Sequence, residues 1–123
     1  MRRIALLFAA ALTVAACTPT PVTPEAYRPR LRINENFLYV DKLNEVALPD
    51  GTLEVGVHGG SRQAADQRTR YRVRWYDAAD LPIDSAVSDW RALRVPGNGE
   101  FEFKAVGPGP RAKRYVIEFD SQS

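Results

Sequence analysis

The sequence predicts an all-β fold: an antiparallel, immunoglobulin-like β-sandwich of about six or seven strands. Three observations carry that expectation. After Arg30, apolar residues recur with a period of two, the spacing of strands that bury one face. Clusters of Pro, Gly and Asn separate the alternating stretches at short intervals. No stretch combines helical spacing of apolar residues with capping residues at its ends.

The elements follow in order along the chain. A weak strand is expected from Phe37 to Leu43. In Gly51-Thr52-Leu53-Glu54-Val55-Gly56-Val57-His58, the inward set is Leu53, Val55 and Val57. Arg70-Tyr71-Arg72-Val73-Arg74-Trp75-Tyr76-Asp77 sends Tyr71, Val73 and Trp75 to one face and three arginines to the other. A second weak strand covers Arg91 to Val95. Glu100-Phe101-Glu102-Phe103-Lys104 buries the two phenylalanines, and Arg114-Tyr115-Val116-Ile117-Glu118-Phe119 buries Tyr115, Ile117 and Phe119. Turn chemistry lies between them. Leu48-Pro49-Asp50-Gly51 and Val95-Pro96-Gly97-Asn98-Gly99 combine a proline that presets φ with residues that accept positive φ, and Gly107-Pro108-Gly109-Pro110 marks a further connection. Trp75 on a central strand would fill a two-sheet core. With one cysteine in the chain, no intrachain disulfide can bridge the sheets.

The first thirty residues have a different character. Arg2 and Arg3 precede an apolar run from Ile4 to Val14. That run is shorter than the ~20 residues a spanning helix needs, and its order is that of a secretory signal. Val14-Ala15-Ala16-Cys17 resembles the lipobox of bacterial lipoproteins. A thiol takes diacylglycerol as a thioether, and small side chains admit the membrane peptidase. Residues 1–16 are therefore expected to be a signal peptide and Cys17 the lipidation site, with covalent lipid in place of any cofactor. Lipidation also accounts for a lone cysteine in a compartment that oxidises thiols, and several acyl chains satisfy the requirement for stable anchoring. By the sorting rule that this resemblance invokes, Thr18 after the cysteine sends the protein to the outer membrane, on its periplasmic face.

Residues 17–30, with Pro19, Pro21, Pro24 and Pro29, are expected to form a flexible tether. Fully extended at ~3.1 Å per residue, it would hold the domain about 40 Å from the bilayer. Tyr27 is the tether residue most suited to dock on the domain. Residues 31–123 then form the sandwich. Without the signal peptide about 107 residues remain, the size of one domain. The chain has 17 Lys and Arg against 15 Asp and Glu, and Arg2 and Arg3 leave with the signal. The mature chain is therefore formally neutral, which removes the electrostatic case for nucleic-acid binding.

The stretch Tyr71-Arg72-Val73-Arg74-Trp75-Tyr76-Asp77-Ala78-Ala79-Asp80-Leu81 is similar to the Y-R-x-x-W-Y-D-x-x-G-L signature of the YcfL-like periplasmic lipoproteins, with Asp80 in the glycine place. Leu93-Arg94-Val95-Pro96-Gly97, followed by Glu100-Phe101, resembles that family's next strand and turn. The likeness runs from about Phe37 to Phe119 together with the lipobox. It implies an immunoglobulin-like fold and an envelope location, and no activity.

Candidate sites are few. His58, the only histidine, is expected at a strand end facing outward. Metal binding needs further ligands and base catalysis a partner within hydrogen-bond reach, and Ser61 alone does not supply a constellation. No enzyme and no metal site is expected. Asp77, Asp80 and Asp84 lack the spacing of a calcium loop, and Asp77 suits the turn backbone. Arg70, Arg72 and Arg74, with Arg68 before them, form a row whose planar forks suit acidic groups. The alternative use of that row is pairing with Glu102, Glu118 or Asp120 on other strands. Trp90 either anchors a partner or closes one end of the sandwich. The expected function is a membrane-anchored, non-enzymatic module that binds an envelope protein through Arg70, Arg72, Arg74, Tyr76 and Trp90. The alternative is a binder of small ligands or cell-wall glycan through the same aromatics and arginines.

Overall fold

The structure, a computed structural model, describes residues 21–121. The signal peptide and Cys17 lie outside the described residues. Among the described residues, eight strands form two sheets: β1 (Leu31–Ile33), β2 (Leu38–Ala47), β3 (Leu53–Ser61), β4 (Gln67–Tyr76), β5 (Pro82–Ile83), β6 (Arg91–Val95), β7 (Glu100–Val106) and β8 (Arg114–Phe119). One sheet runs β1-β8-β4-β5, with β6 beside the first half of β4; the other runs β2-β3-β7. The all-β sandwich expected from the alternation is present, and β6 has the bounds read from the sequence.

Two differences have physical causes. The Phe37 strand continues to Ala47 because β3 pairs with it along its whole length; its exposed second half carries too few apolar residues to reveal a strand locally. β1 and β5 are short: β1 depends on β8, distant in sequence, whereas β5 is the two-residue return of the chain onto the end of β4. β1 pairs with β8 in parallel, the one parallel ladder among otherwise antiparallel pairs.

The sheets meet through the residues that the alternation assigned inward. Val55, Val57, Val73, Trp75, Ile117 and Phe119 are almost inaccessible to solvent. Tyr71 of one sheet stacks on Phe103 of the other at 3.9 Å between ring centroids, and Phe119 meets Phe101 and Phe103 at 6.0 and 6.1 Å. Trp75 and Tyr115 fill the other end of the core at 5.8 Å. The buried Tyr115 hydroxyl donates to Glu45 Oε1 at 2.7 Å, which satisfies the polar tip of a mostly apolar ring.

Turns form where Pro, Gly and Asn mark them. Gly51 donates to the Leu48 carbonyl at 2.9 Å and adopts φ +88°. Asn98 adopts φ +49° within the turn closed from Gly99 to Pro96. Asp80 adopts φ +62°, left-handed backbone that favours glycine, at the glycine place of the motif. Gly59 has a different role: a Cβ there would lie 2.0 Å from the Tyr39 carbonyl oxygen, beside the register shift between Val40 and Lys42. Only the absence of a side chain lets β2 and β3 approach at that bulge.

The described end of the expected tether lies on the domain. Glu25–Arg30 forms a 3-10 helix ahead of β1, and Tyr27 is half-buried, as its docking required. Thr23 Oγ1 accepts the Val40 amide at 3.1 Å, satisfying an edge group of β2. Arg62 Nε donates to the Pro21 carbonyl at 2.7 Å, while its Nη1 donates to the Leu38 carbonyl at 3.0 Å. Residues 21–30 thus form a strap, and the ordered domain begins ten residues before Leu31. Backbone capping outweighs the intrinsic openness of a Pro-rich stretch here.

Candidate functional site

Strand alternation sends Arg68, Arg70, Arg72, Arg74 and Tyr76 of β4 to the outer face of its sheet, opposite Thr69, Val73 and Trp75. The register then sets Arg72 beside Glu118 of β8, and Glu118 beside Arg32 of β1. Arg72 Nε donates to Glu118 Oε2 at 2.8 Å, and Arg74 Nη1 lies 3.6 Å from Glu118 Oε1. The Glu118 side chain is only 12% exposed, so two guanidiniums share one nearly enclosed carboxylate. Arg70 Nε donates to the Asp120 carbonyl at 3.0 Å. Pairing with the Glu118 carboxylate is therefore real, and Arg70 reaches the backbone of Asp120. Glu102, the third candidate partner, lies on β7 of the other sheet, opposite His58.

Trp90 completes this face. Leu81 returns the chain after β4 through a turn in which Asp77 Oδ1 accepts the amides of Ala79 and Leu81 at 2.9 and 3.0 Å. Asp77 thus caps its turn, and Asp80 pairs with Arg114 at 2.9 Å. A short 3-10 helix at Ala86–Ser88, capped by Ser85, then carries Trp90 back over β4. Its ring lies 4.3 Å from the Arg70 guanidinium carbon and 4.4 Å from that of Arg72. Trp90 consequently does not close an end of the sandwich; it covers the outer face as a platform for two stacked cations. Tyr76 makes the same kind of contact with Arg114, at 4.3 Å.

The five residues singled out from the sequence, Arg70, Arg72, Arg74, Tyr76 and Trp90, thus share one face. Arg32 and Asn34 join them. With Arg72, Arg74, Glu118 and Asp120 they line an open recess of about 540 Å³. Neither was legible as part of the site, because only the parallel β1–β8 pairing brings them there. The arrangement offers forked donors and a cationic-aromatic stack to an anionic group. The opposite outer face has the reverse balance, with Glu54, Glu100, Glu102 and Asp41 against Lys42 and Lys104.

His58 lies on that acidic face, within β3 rather than at its end, because Gly59, Gly60 and Ser61 continue the strand. Nδ1 contacts Asp41 Oδ1 at 2.6 Å, and Nε2 lies 3.4 Å from Glu100 Oε2. Ser61 is buried, and its hydroxyl donates to the Gln63 carbonyl at 3.3 Å; by alternation it faces away from His58. Among the described residues, no group of three or more His, Cys, Asp or Glu could hold a metal ion.

The Asp41 hydrogen bond raises the His58 pKa above its ordinary value, with Glu100 adding to it and desolvation opposing. Lys42 and Glu102 flank His58 across the two strand pairs. A raised folded-state value contributes stability that is complete below the unfolded pKa of about 6.5 and is lost as pH rises through the folded value. Asp41→Asn is therefore expected to lower the melting temperature more at pH 5.5 than at pH 8.5. Equal losses at both would mean that the pair does not titrate.

A model of the family described as "Protein of unknown function (DUF1425)" matches residues 24–120. Among solved structures, a DUF1425 family member from Shewanella sp. PV-4 aligns with a TM-score of 0.62 at 22% identity, covering 70% of this chain and 79% of that one. The Campylobacter jejuni protein Cj0090 aligns with a TM-score of 0.63 at 21% identity, covering 76% of this chain and 98% of that one. No curated protein matches. At these identities the likeness carries the fold.

Proposed function

The chain belongs to the DUF1425 family, and from that premise we propose that it is a lipid-anchored envelope protein whose sandwich docks on an acidic protein partner. The finer likeness to YcfL-like periplasmic lipoproteins is part of this proposal, as are signal cleavage, acylation at Cys17 and residence on the periplasmic face of the outer membrane. The module works by contact, without catalysis or cofactor.

One observation carries the docking surface: Arg70 and Arg72 stack on Trp90 while Arg72 and Arg74 share Glu118. A stacked, hydrogen-bonded guanidinium is held in place before binding, so less side-chain freedom is lost when an acidic partner engages it. The Arg72–Glu118 pair, with side chains 28% and 12% exposed, is accounted for by the fold itself, while Arg74, at 47%, stays open to a partner.

Metabolic labelling with palmitate and membrane fractionation test the anchor. The mature protein is expected to carry label and to sediment with outer membrane, and Cys17→Ser to abolish both. An unlabelled wild-type chain would contradict the anchored reading.

A further inference from the structure

We propose that the end of the sandwich bearing Pro21 and Arg62 is apposed to the membrane leaflet, with the partner-binding face standing at its side. This rests on the lipid-anchored reading above. The argument begins with reach. A fully extended tether of residues 17–30 would allow about 40 Å of separation. The strap removes most of that length, because Pro21, Thr23 and Glu25–Arg30 are held on the domain. Only four peptide steps separate Cys17 from Pro21, at most about 14 Å.

The strap enters at one end of the molecule, where Arg62 holds Pro21, and runs along the sheets to the other, where Arg30 lies 3.5 Å from Glu45. Arg62 donates to the Pro21, Asn36 and Leu38 carbonyls at 2.7, 3.3 and 3.0 Å. It follows β3 directly, beside the loop that reaches Asn98, whose amide donates to the Gln63 carbonyl at 2.7 Å. The opposite end holds the turn at Gly51 and the connection after Val106. Along β3 the two ends are about 26 Å apart at ~3.3 Å per residue. A linker of that length keeps the Pro21 end within about 14 Å of the leaflet while the strap stays docked, and sets no such bound on the far end.

The surface at the strap suits an interface with headgroups. Val22 is 67% exposed, the Arg28 side chain is 65% exposed and lies 3.6 Å from Glu25, and a recess of about 460 Å³ lined in part by Val22, Arg28, Glu35, Leu38 and Arg62 opens beside them. An exposed apolar side chain ringed by both basic and acidic groups matches a headgroup boundary that carries both signs of charge, as phosphatidylethanolamine does. The row from Arg68 to Arg74 runs along the strand direction, so it rises from this end and remains open from the side.

The test uses the acylated full chain in vesicles of phosphatidylethanolamine and phosphatidylglycerol containing a headgroup spin-labelled lipid. Because the native cysteine is consumed by acylation, single cysteines at Ala65→Cys and Val106→Cys take a fluorophore uniquely. Quenching is expected to be several-fold greater at position 65 than at position 106. Inserting twelve Gly/Ser residues between Thr20 and Pro21 is expected to reduce that difference by at least half. Equal, weak quenching at both positions in protein whose mass confirms acylation overturns apposition and leaves the anchor standing. A mature chain without acyl mass overturns both.

Discussion

Trp75→Ala is expected to destabilise the sandwich by ~3–5 kcal/mol and to lower its melting temperature by more than about 10 °C. Trp75 is 1% exposed, meets Tyr115 at 5.8 Å, and lies against Gly107, where an added Cβ would approach the indole to 3.3 Å. Truncation therefore opens a cavity between two sheets that cannot easily collapse, since each is held by its own ladder. Stability of a domain this size is commonly ~5–15 kcal/mol, so the loss is a large share of the total. Trp75→Phe provides the contrast. The Trp75 indole N–H finds no acceptor among the described residues, and a buried donor left unpaired costs about 1–3 kcal/mol. Replacing it removes that cost along with some packing, and the phenylalanine variant is expected to lose less than half as much. Thermal unfolding of the two variants, followed by circular dichroism, checks both figures. Equal losses would mean that the N–H is satisfied in solution.

Trp90→Ala is expected to weaken capture of the acidic partner at least tenfold, with little change in melting temperature. Removing a central interface tryptophan commonly costs ~2 kcal/mol or more, whereas Trp90 is only half-buried within the free domain. The same variant frees Arg70 and Arg72 from their stacking platform. A Lys variant of Arg70, Arg72 and Arg74 keeps the charge but loses the planar forks, and is expected to fall between wild type and Trp90→Ala. Raising salt should weaken all captures together, as screening of exposed charge requires. Unchanged affinity for both variants would remove this face from the account.

Much of the fold was legible because a strand announces itself by alternation. β4 is the clearest case: Tyr71, Val73 and Trp75 point inward and three arginines outward, and the structure keeps that division. β7 follows the same rule, and β8 departs from it only at Val116, which is buried although alternation turns it outward. Legibility ended where a strand depends on a distant partner. β1 has three residues, and it exists because β8 offers a free edge. Arg32 and Asn34 enter the candidate site through that pairing, so no local pattern could have found them. The strap was misread for a related reason. Prolines argue against burial of apolar surface, but a strap held by Thr23 Oγ1 and Arg62 needs little apolar surface. The sequence left Trp90 between a partner anchor and a sandwich end, because the 3-10 helix that carries it over β4 has no local signal. His58 faces outward as expected, but its pairing with Asp41 depends on the register shift between Val40 and Lys42.

The central claim is that the arginine and tryptophan face is where an acidic envelope protein docks. In-cell photocrosslinking tests it most directly, with a photoreactive residue in place of Arg74, whose side chain is 47% exposed, and in place of Lys104 on the opposite face as control. The account predicts one discrete light-dependent adduct with an acidic envelope protein from position 74, none from position 104, and loss of the adduct when Trp90→Ala is added. No adduct from position 74, or the same adduct from both positions, would contradict it.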